Sequence, residues 1–247
     1  MNSTRHRLTV LQAKFAAYLS WSQPFLHDLV SGVGRHVRNV VVCNRTEHLE
    51  RFPTPNIVRL KTRFLMNPSF AVMAAAYLRR EWKPDVIHAH FGWSGIRVLL
   101  LKQFLRIPLV TTFGGRDASV QMHLPHLDRM YEILLDASDQ IICVSGDLKQ
   151  QLVEHGVDPD RIAVIRRGAD LSRFAFVDRS ERPESPVQIL MVGRLVEKKG
   201  HRYAFEALSR IVEEGHRVRL TIVGEGESYR ELRRLRDRMG LRKVVTF

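Results

Sequence analysis

The residues most able to do chemistry lie in one run, Val192-Gly193-Arg194-Leu195-Val196-Glu197-Lys198-Lys199-Gly200. An apolar β-rich run precedes it and a helical pattern follows. Gly193 permits a sharp turn and a close ligand approach. Gly200 marks a helix start, where free N–H groups favour an anion. Arg194 and Lys199 bring two cations to the same end. A departing diphosphate needs such groups, because negative charge grows on it as the bond to it breaks. The competing reading is a solvated basic loop between strand and helix, which the bare pattern supports equally. Gly224-Glu225-Gly226 follows a second apolar run. It lacks the third glycine of a dinucleotide fingerprint, Tyr229 standing there, so NAD binding is rejected.

A second group of candidates lies earlier. In His88-Ala89-His90-Phe91-Gly92, residues two apart on a strand share a side. A metal site with His123 and His126 is one reading, but no carboxylate or cysteine completes the ligand set, so no metal is assigned. One core and one exposed histidine is the other. Thr111-Thr112-Phe113-Gly114-Gly115-Arg116-Asp117 ends the next apolar run. There Asp117 is a helix N-cap, a cleft residue, or both. Trp21 and Phe25 either staple a helix or pack a ligand.

These residues need elements to hold them. Short apolar runs at 8–13, 37–43, 86–89, 109–113, 140–144 and 162–165 predict one set of strands. Runs at 188–192, 218–223 and 243–247 predict a second. Most lack alternation, as expected of parallel strands covered on both faces. Between them, 201–214 and 228–239 carry apolar residues at helical spacing. In the latter, Arg230, Arg233, Arg234 and Arg236 form a solvated face. Alternating strands and helices predict a doubly wound α/β fold. The polar, proline-bearing stretch 176–186 reads as a linker. We expect one domain over 1–180 and the start of another over 187–247. The second is short for a doubly wound domain and ends on a predicted strand, so it reads as truncated.

Composition narrows the function classes. No apolar run nears the ~20 residues that span a bilayer, and no signal-peptide pattern follows the basic N-terminus. We expect a cytoplasmic protein. Cys43 and Cys143 each end an apolar run and read as core residues, not as a disulfide or metal pair. The net charge is +13, spread along the chain. Such a charge suits nucleic acid, an anionic membrane or phosphorylated substrates, or reflects composition alone. No helix-turn-helix, zinc-finger or aromatic RNA-binding pattern occurs, so we expect no nucleic-acid partner.

The segment from Gly193 to Gly200 resembles the glycosyltransferase family 4 signature, Gly-Arg-Leu followed by Lys-Gly, on the GT-B fold of two Rossmann-like domains. So do Asp139-Gln-Ile-Ile-Cys-Val-Ser145, the segment from Arg161 to Phe174 with Gly168-Ala169-Asp170, and Leu220-Thr-Ile-Val-Gly224-Glu-Gly226. Their order and spacing carry more than any one alone. The resemblance implies transfer of a sugar from a nucleotide diphosphate to a hydroxyl, with retention and without a metal or other cofactor. It implies an N-terminal acceptor-side domain and a C-terminal donor domain. It gives Arg194 and Lys199 the donor diphosphate, with Gly193 and Gly224 shaping that site. His90, Gly115, Asp117 and Ser22 fall on the acceptor side. Many relatives have histidine where Gly114 stands, so a contact from that side chain is missing here. Polysaccharide-building relatives imply a glycan or lipid-linked acceptor and peripheral membrane association. The family's two glutamates separated by seven residues are not in this sequence. We therefore expect little transfer by residues 1–247 alone. An inactive remnant and a basic nucleic-acid-binding protein are the alternatives.

Overall fold

The computed structural model describes residues 7–20, 23–169, 171–178 and 186–247. Trp21, Ser22, Asp170 and most of the expected linker (179–185) lie outside them. The chain forms two compact units, Met1–Ala169 and Asp170–Phe247.

The first unit is built on seven parallel strands. In chain order the strands are β1 (Thr9–Ala13), β2 (Ala17–Tyr18), β3 (Arg38–Cys43), β4 (Arg45–Thr46), β5 (Ile57–Arg59), β6 (Val86–His90), β7 (Leu109–Phe113), β8 (Gln140–Cys143) and β9 (Ile162–Val164). The main sheet runs β5-β3-β1-β6-β7-β8-β9, and β2 and β4 form a separate parallel pair. The helices are α1 (Phe25–Val33), α2 (Pro68–Trp82), α3 (Gly92–Leu105), α4 (Arg116–Ser119), α5 (Asp128–Ala137) and α6 (Gly146–Glu154).

The run Val40-Val41-Val42-Cys43 shows why the apolar stretches do not alternate. Val40 and Val42 enter the large core with α2, α3 and α5. Val41 and Cys43 enter a smaller core with Leu26 and Val30 of α1. Both faces of the strand are covered, so every side chain is apolar. The doubly wound expectation holds. Both cysteines are buried and free, and burial pushes each thiol up to about 11. Sequence reading missed β2, β4 and β5, which are two or three residues long.

The strand order changes direction at β1. From β1, β3 pairs on one side and β6 on the other. The chain segments leaving β1 and β6 therefore diverge at their carboxyl ends. In open α/β sheets this crevice receives ligands. Lys14 follows β1, and His90 ends β6.

The second, smaller unit has three parallel strands in the order β10 (Val187–Val192), β11 (Val218–Val223), β12 (Val245–Thr246). Its helices are α7 (His201–Glu213) and α8 (Tyr229–Arg238). Phe205 and Leu208 of α7 and Leu232 of α8 bury against Leu220 and Ile222 of β11 and Val245 of β12. β10 is exposed along nearly all of its length, most of all at Leu190 and Val192, and Val223 of β11 is exposed as well. The expected last strand at 243–247 shortens to two residues, because a 3-10 turn, Leu241–Lys243, takes its start.

Candidate functional site

The second unit brings four of the sequence-predicted residues together. Gly193 follows β10, and its N–H donates to Val223 O at 3.0 Å. Leu195, fully buried, donates to Glu225 O at 2.8 Å, and its own carbonyl accepts from Ser228 N at 3.0 Å. These bonds zip the loop after β10 to the loop after β11. The closeness depends on glycine at Gly224, whose φ is +152°. A Cβ there would stand 1.9 Å from Gly193 O. Gly226 is in a similar position, with a Cβ 2.3 Å from Leu195 O.

A 3-10 turn, Glu197–Lys199, then leads through Gly200, whose φ of +69° suits glycine, into α7. The Lys199 stem passes over Gly193, with its Cδ 3.8 Å from where a Cβ would sit. Arg194 and Lys199 are exposed, and among the described residues neither forms an ion pair. Two free cations thus flank a loop that opens a helix whose first N–H groups have no side-chain cap. Such a corner attracts an anion. His201, the first residue of α7, was not singled out in the sequence. It is buried with Nδ1 lacking a hydrogen-bond partner, and burial together with Lys199 lowers its pKa.

The first unit gathers another group at the carboxyl ends of β1, β6 and β7. His90 is buried, and its Nε2 pairs with Gln12 Oε1 at 2.8 Å. His88 Nε2 pairs with Thr112 Oγ1 at 2.7 Å, and the two imidazoles lie 4.3 Å apart. Burial pushes His88 down to about 4 and His90 well below the ordinary value. Both are neutral at pH 7. His123 packs instead against His155, ring centres 4.9 Å apart, and no group of three metal-ligating side chains occurs among the described residues.

Phe91 connects β6 to α3 with φ +73° and ψ 148°, a conformation that costs a non-glycine residue about 1–3 kcal/mol. Its N–H donates to Thr112 O at 2.8 Å, and its carbonyl accepts from Ser94 and Gly95 at the start of α3. Asp117 holds the neighbouring turn. It is buried, and its carboxylate accepts from Gly92 N (3.2 Å), Gly114 N (3.1 Å) and Gly115 N (2.9 Å). Burial pushes its pKa up, against the pull of those N–H groups. Gly115 adopts φ +138°. Asp117 therefore organises the loops beside His90 rather than presenting a free carboxylate. The predicted residue Ser22 lies outside the described residues.

Lys14, Gln12, Phe91 and Arg167 were not singled out in the sequence. Lys14 and Gln12 sit in an apolar strand context, and Arg167 sits in a basic loop. Only their place on the sheet marks them. Lys14 is buried, and that burial lowers its pKa. A cavity of about 860 Å³ lies elsewhere: Leu99, Ile107, Pro108, Met130 and Asp139 line it, at the amino ends of β7 and β8.

Comparison with known proteins follows this architecture. Residues 22–173 match the model of Glycosyltransferase Family 4, and residues 172–247 match Glycosyl transferases group 1. WcaL of Salmonella typhimurium, named as a colanic acid biosynthesis glycosyltransferase, is 34% identical over 173 residues, 69% of this chain and 42% of WcaL. Glycogen synthase of Mycobacterium tuberculosis is 33% identical over 159 residues, 60% of this chain and 37% of that protein. The chain thus spans less than half the length of these curated relatives. The Anabaena protein HepE, solved in complex with UDP-glucose, superposes with a TM-score of 0.76 at 17% identity, covering 98% of this chain and 68% of HepE. The match of the Glycosyltransferase Family 4 model over residues 22–173, more than half of the chain, shows that the chain belongs to glycosyltransferase family 4.

Proposed function

We propose that the chain is the acceptor-side domain (1–180) and the beginning of the donor domain (187–247) of a nucleotide-sugar-dependent transferase. It moves a sugar from a nucleotide diphosphate to a hydroxyl of a glycan or lipid-linked acceptor, with retention and without a metal. The observation that carries this is the corner of the second unit. Arg194 and Lys199 flank the Gly193–Gly224 contact at the start of α7, and no carboxylate among the described residues neutralises them.

Charge grows on the leaving diphosphate as the glycosidic bond to the donor breaks. Fixed cations and helix N–H groups stabilise that state more than the intact donor, which lowers the barrier. Gly193 and Gly224 leave no side chain in the way of the backbone there. On the acceptor side we assign His90 and the turn built by Gly115 and Asp117, and by sequence resemblance Ser22. His90 is neutral at pH 7, so it offers a hydrogen bond without a charge. The basic surface, +13 overall, suits peripheral contact with an anionic membrane.

The test replaces Arg194 and Lys199 by alanine in the protein as its gene encodes it. Turnover of a nucleotide-sugar donor should fall by at least about a hundredfold, the scale of losing a transition-state anion contact. The melting temperature should hardly change, because both side chains are exposed. Unchanged turnover would remove the assignment.

A further inference from the structure

Two cations in the first unit have no role in that account. Lys14 follows β1 at the point where the strand order reverses. Its ammonium donates to Phe15 O at 3.0 Å and lies 5.5 Å from the centre of the Phe91 ring. Arg167 follows β9, where the chain returns across the strand ends. Its guanidinium carbon lies 3.7 Å from the centre of the Phe25 ring. Phe25 and Phe91 meet edge to face, 6.4 Å apart.

Gly114 makes this arrangement possible. A Cβ there would stand 2.7 Å from Arg167 Nη2 and 2.8 Å from Phe91 Cε1. Any side chain at this position would push the guanidinium away. Lys14 lies against the Phe91 ring and Arg167 Nη2 borders the Gly114 position that the same ring borders, so both cations lie at the Phe91 end of β6.

Neither cation has an ion-pair partner among the described residues. Asp117 is the carboxylate that acts on Arg167, but its oxygens are committed to the N–H groups of Gly92, Gly114 and Gly115. The Glu47 carboxylate acts on Lys14 but is paired with Arg45 at 3.2 Å, so no ion pair among the described residues offsets the cost of burying the ammonium, and an anionic ligand would relieve it. Stacking on Phe25 leaves the N–H edge of the guanidinium free for two parallel bonds to an oxyanion. Lys14 spends one of its three donors on Phe15 O.

We propose that Lys14 and Arg167 bind a phosphate group carried by the acceptor. That the ligand is the acceptor rests on the reading of this unit as the acceptor side; the phosphate site itself does not. The phosphate belongs either to a phosphorylated sugar or to the lipid linkage of a lipid-linked glycan, two sources with one chemistry.

The experiment is calorimetric titration of the 247-residue chain with glucose 6-phosphate and with octyl phosphate, with glucose and octyl glucoside as uncharged controls. The chain carries Arg194→Ala and Lys199→Ala, which removes the two cations assigned to the donor diphosphate. Both phosphates should bind more tightly than their controls. Arg167→Gln should weaken them at least about tenfold, the loss expected for a charge-assisted bond. Gly114→His, which displaces the guanidinium, should do the same. Lys14→Met should also weaken binding, but Arg167 is exposed, so its variant decides the matter without a folding question. Tighter binding of glucose 6-phosphate assigns a sugar phosphate, and tighter binding of octyl phosphate a lipid phosphate. No phosphate binding in this background, or binding that Arg167→Gln leaves unchanged, overturns the proposal. Phosphate binding that depends on Arg167, in a protein whose turnover does not depend on Arg194 and Lys199, upholds the site and overturns the donor assignment instead.

Discussion

His88 shows how burial sets chemistry at a single residue. Its pKa is near 4 in the folded protein against an ordinary 6.5. Between those values the unfolded chain binds a proton that the folded chain refuses. The stability this histidine contributes is full above about pH 6.5 and falls as the pH drops toward 4, by at most about 1.4 kcal/mol per pH unit. His90, also held well below its ordinary value, adds in the same direction. Urea unfolding at pH 7.5, 6 and 5 should show the decline, and His88→Asn should flatten it. An equal slope in the variant would refute the burial account. Asp117 makes a different case. Alanine there strands the donors of Gly92, Gly114 and Gly115, and should cost at least about 2 kcal/mol by urea unfolding. Asparagine keeps an acceptor oxygen and should cost less.

At the scale of elements, the loops after β10 and β11 form one structure. Gly224→Ala would drive a methyl group into Gly193 O, which lies 1.9 Å from the Cβ position. The backbone must separate, at a cost of about 2 kcal/mol or more. Hydrogen exchange should then quicken at the amides of Gly193 and Leu195, while α7 stays protected. Slow exchange at both amides in this variant would mean that the contact does not hold the loop. The paired glycines were legible in the sequence as Gly224-Glu-Gly226, but their reason was not. A GxG pattern suggests room for a ligand, whereas here each glycine admits a neighbouring backbone. The strand ending in Cys43 was legible because both of its faces are buried, which leaves an unbroken apolar run. The strands Ala17–Tyr18, Arg45–Thr46 and Ile57–Arg59 were not, since two or three residues carry no period.

The whole molecule has an imbalance in its second unit. α7 and α8 cover one face of a three-stranded sheet, and on the other face Leu190 is 63% and Val192 72% exposed. A contiguous apolar face of this kind binds hydrophobic dyes or other apolar surface. Anilinonaphthalene sulfonate fluorescence should rise with this chain and fall when Leu190 and Val192 are both replaced by lysine, with the unfolding midpoint little changed. Equal fluorescence from the variant would place the dye elsewhere, for example in the apolar cavity of the first unit.

The sequence by itself determined the α/β class, the position along the chain of most strands, the burial of both cysteines and the basic loop at Arg194 and Lys199. Each of these is local: a run of apolar residues, or a turn with charges a few positions apart. Tertiary structure alone decided that Lys14, Phe25, Gly114 and Arg167 belong together. They come from four segments as far apart as residues 14 and 167. Only the reversal of strand order at β1, and the return of the chain after β9 across the strand ends, brings them to one place. No spacing in the sequence encodes that meeting, because parallel strands pair through crossovers whose lengths vary freely.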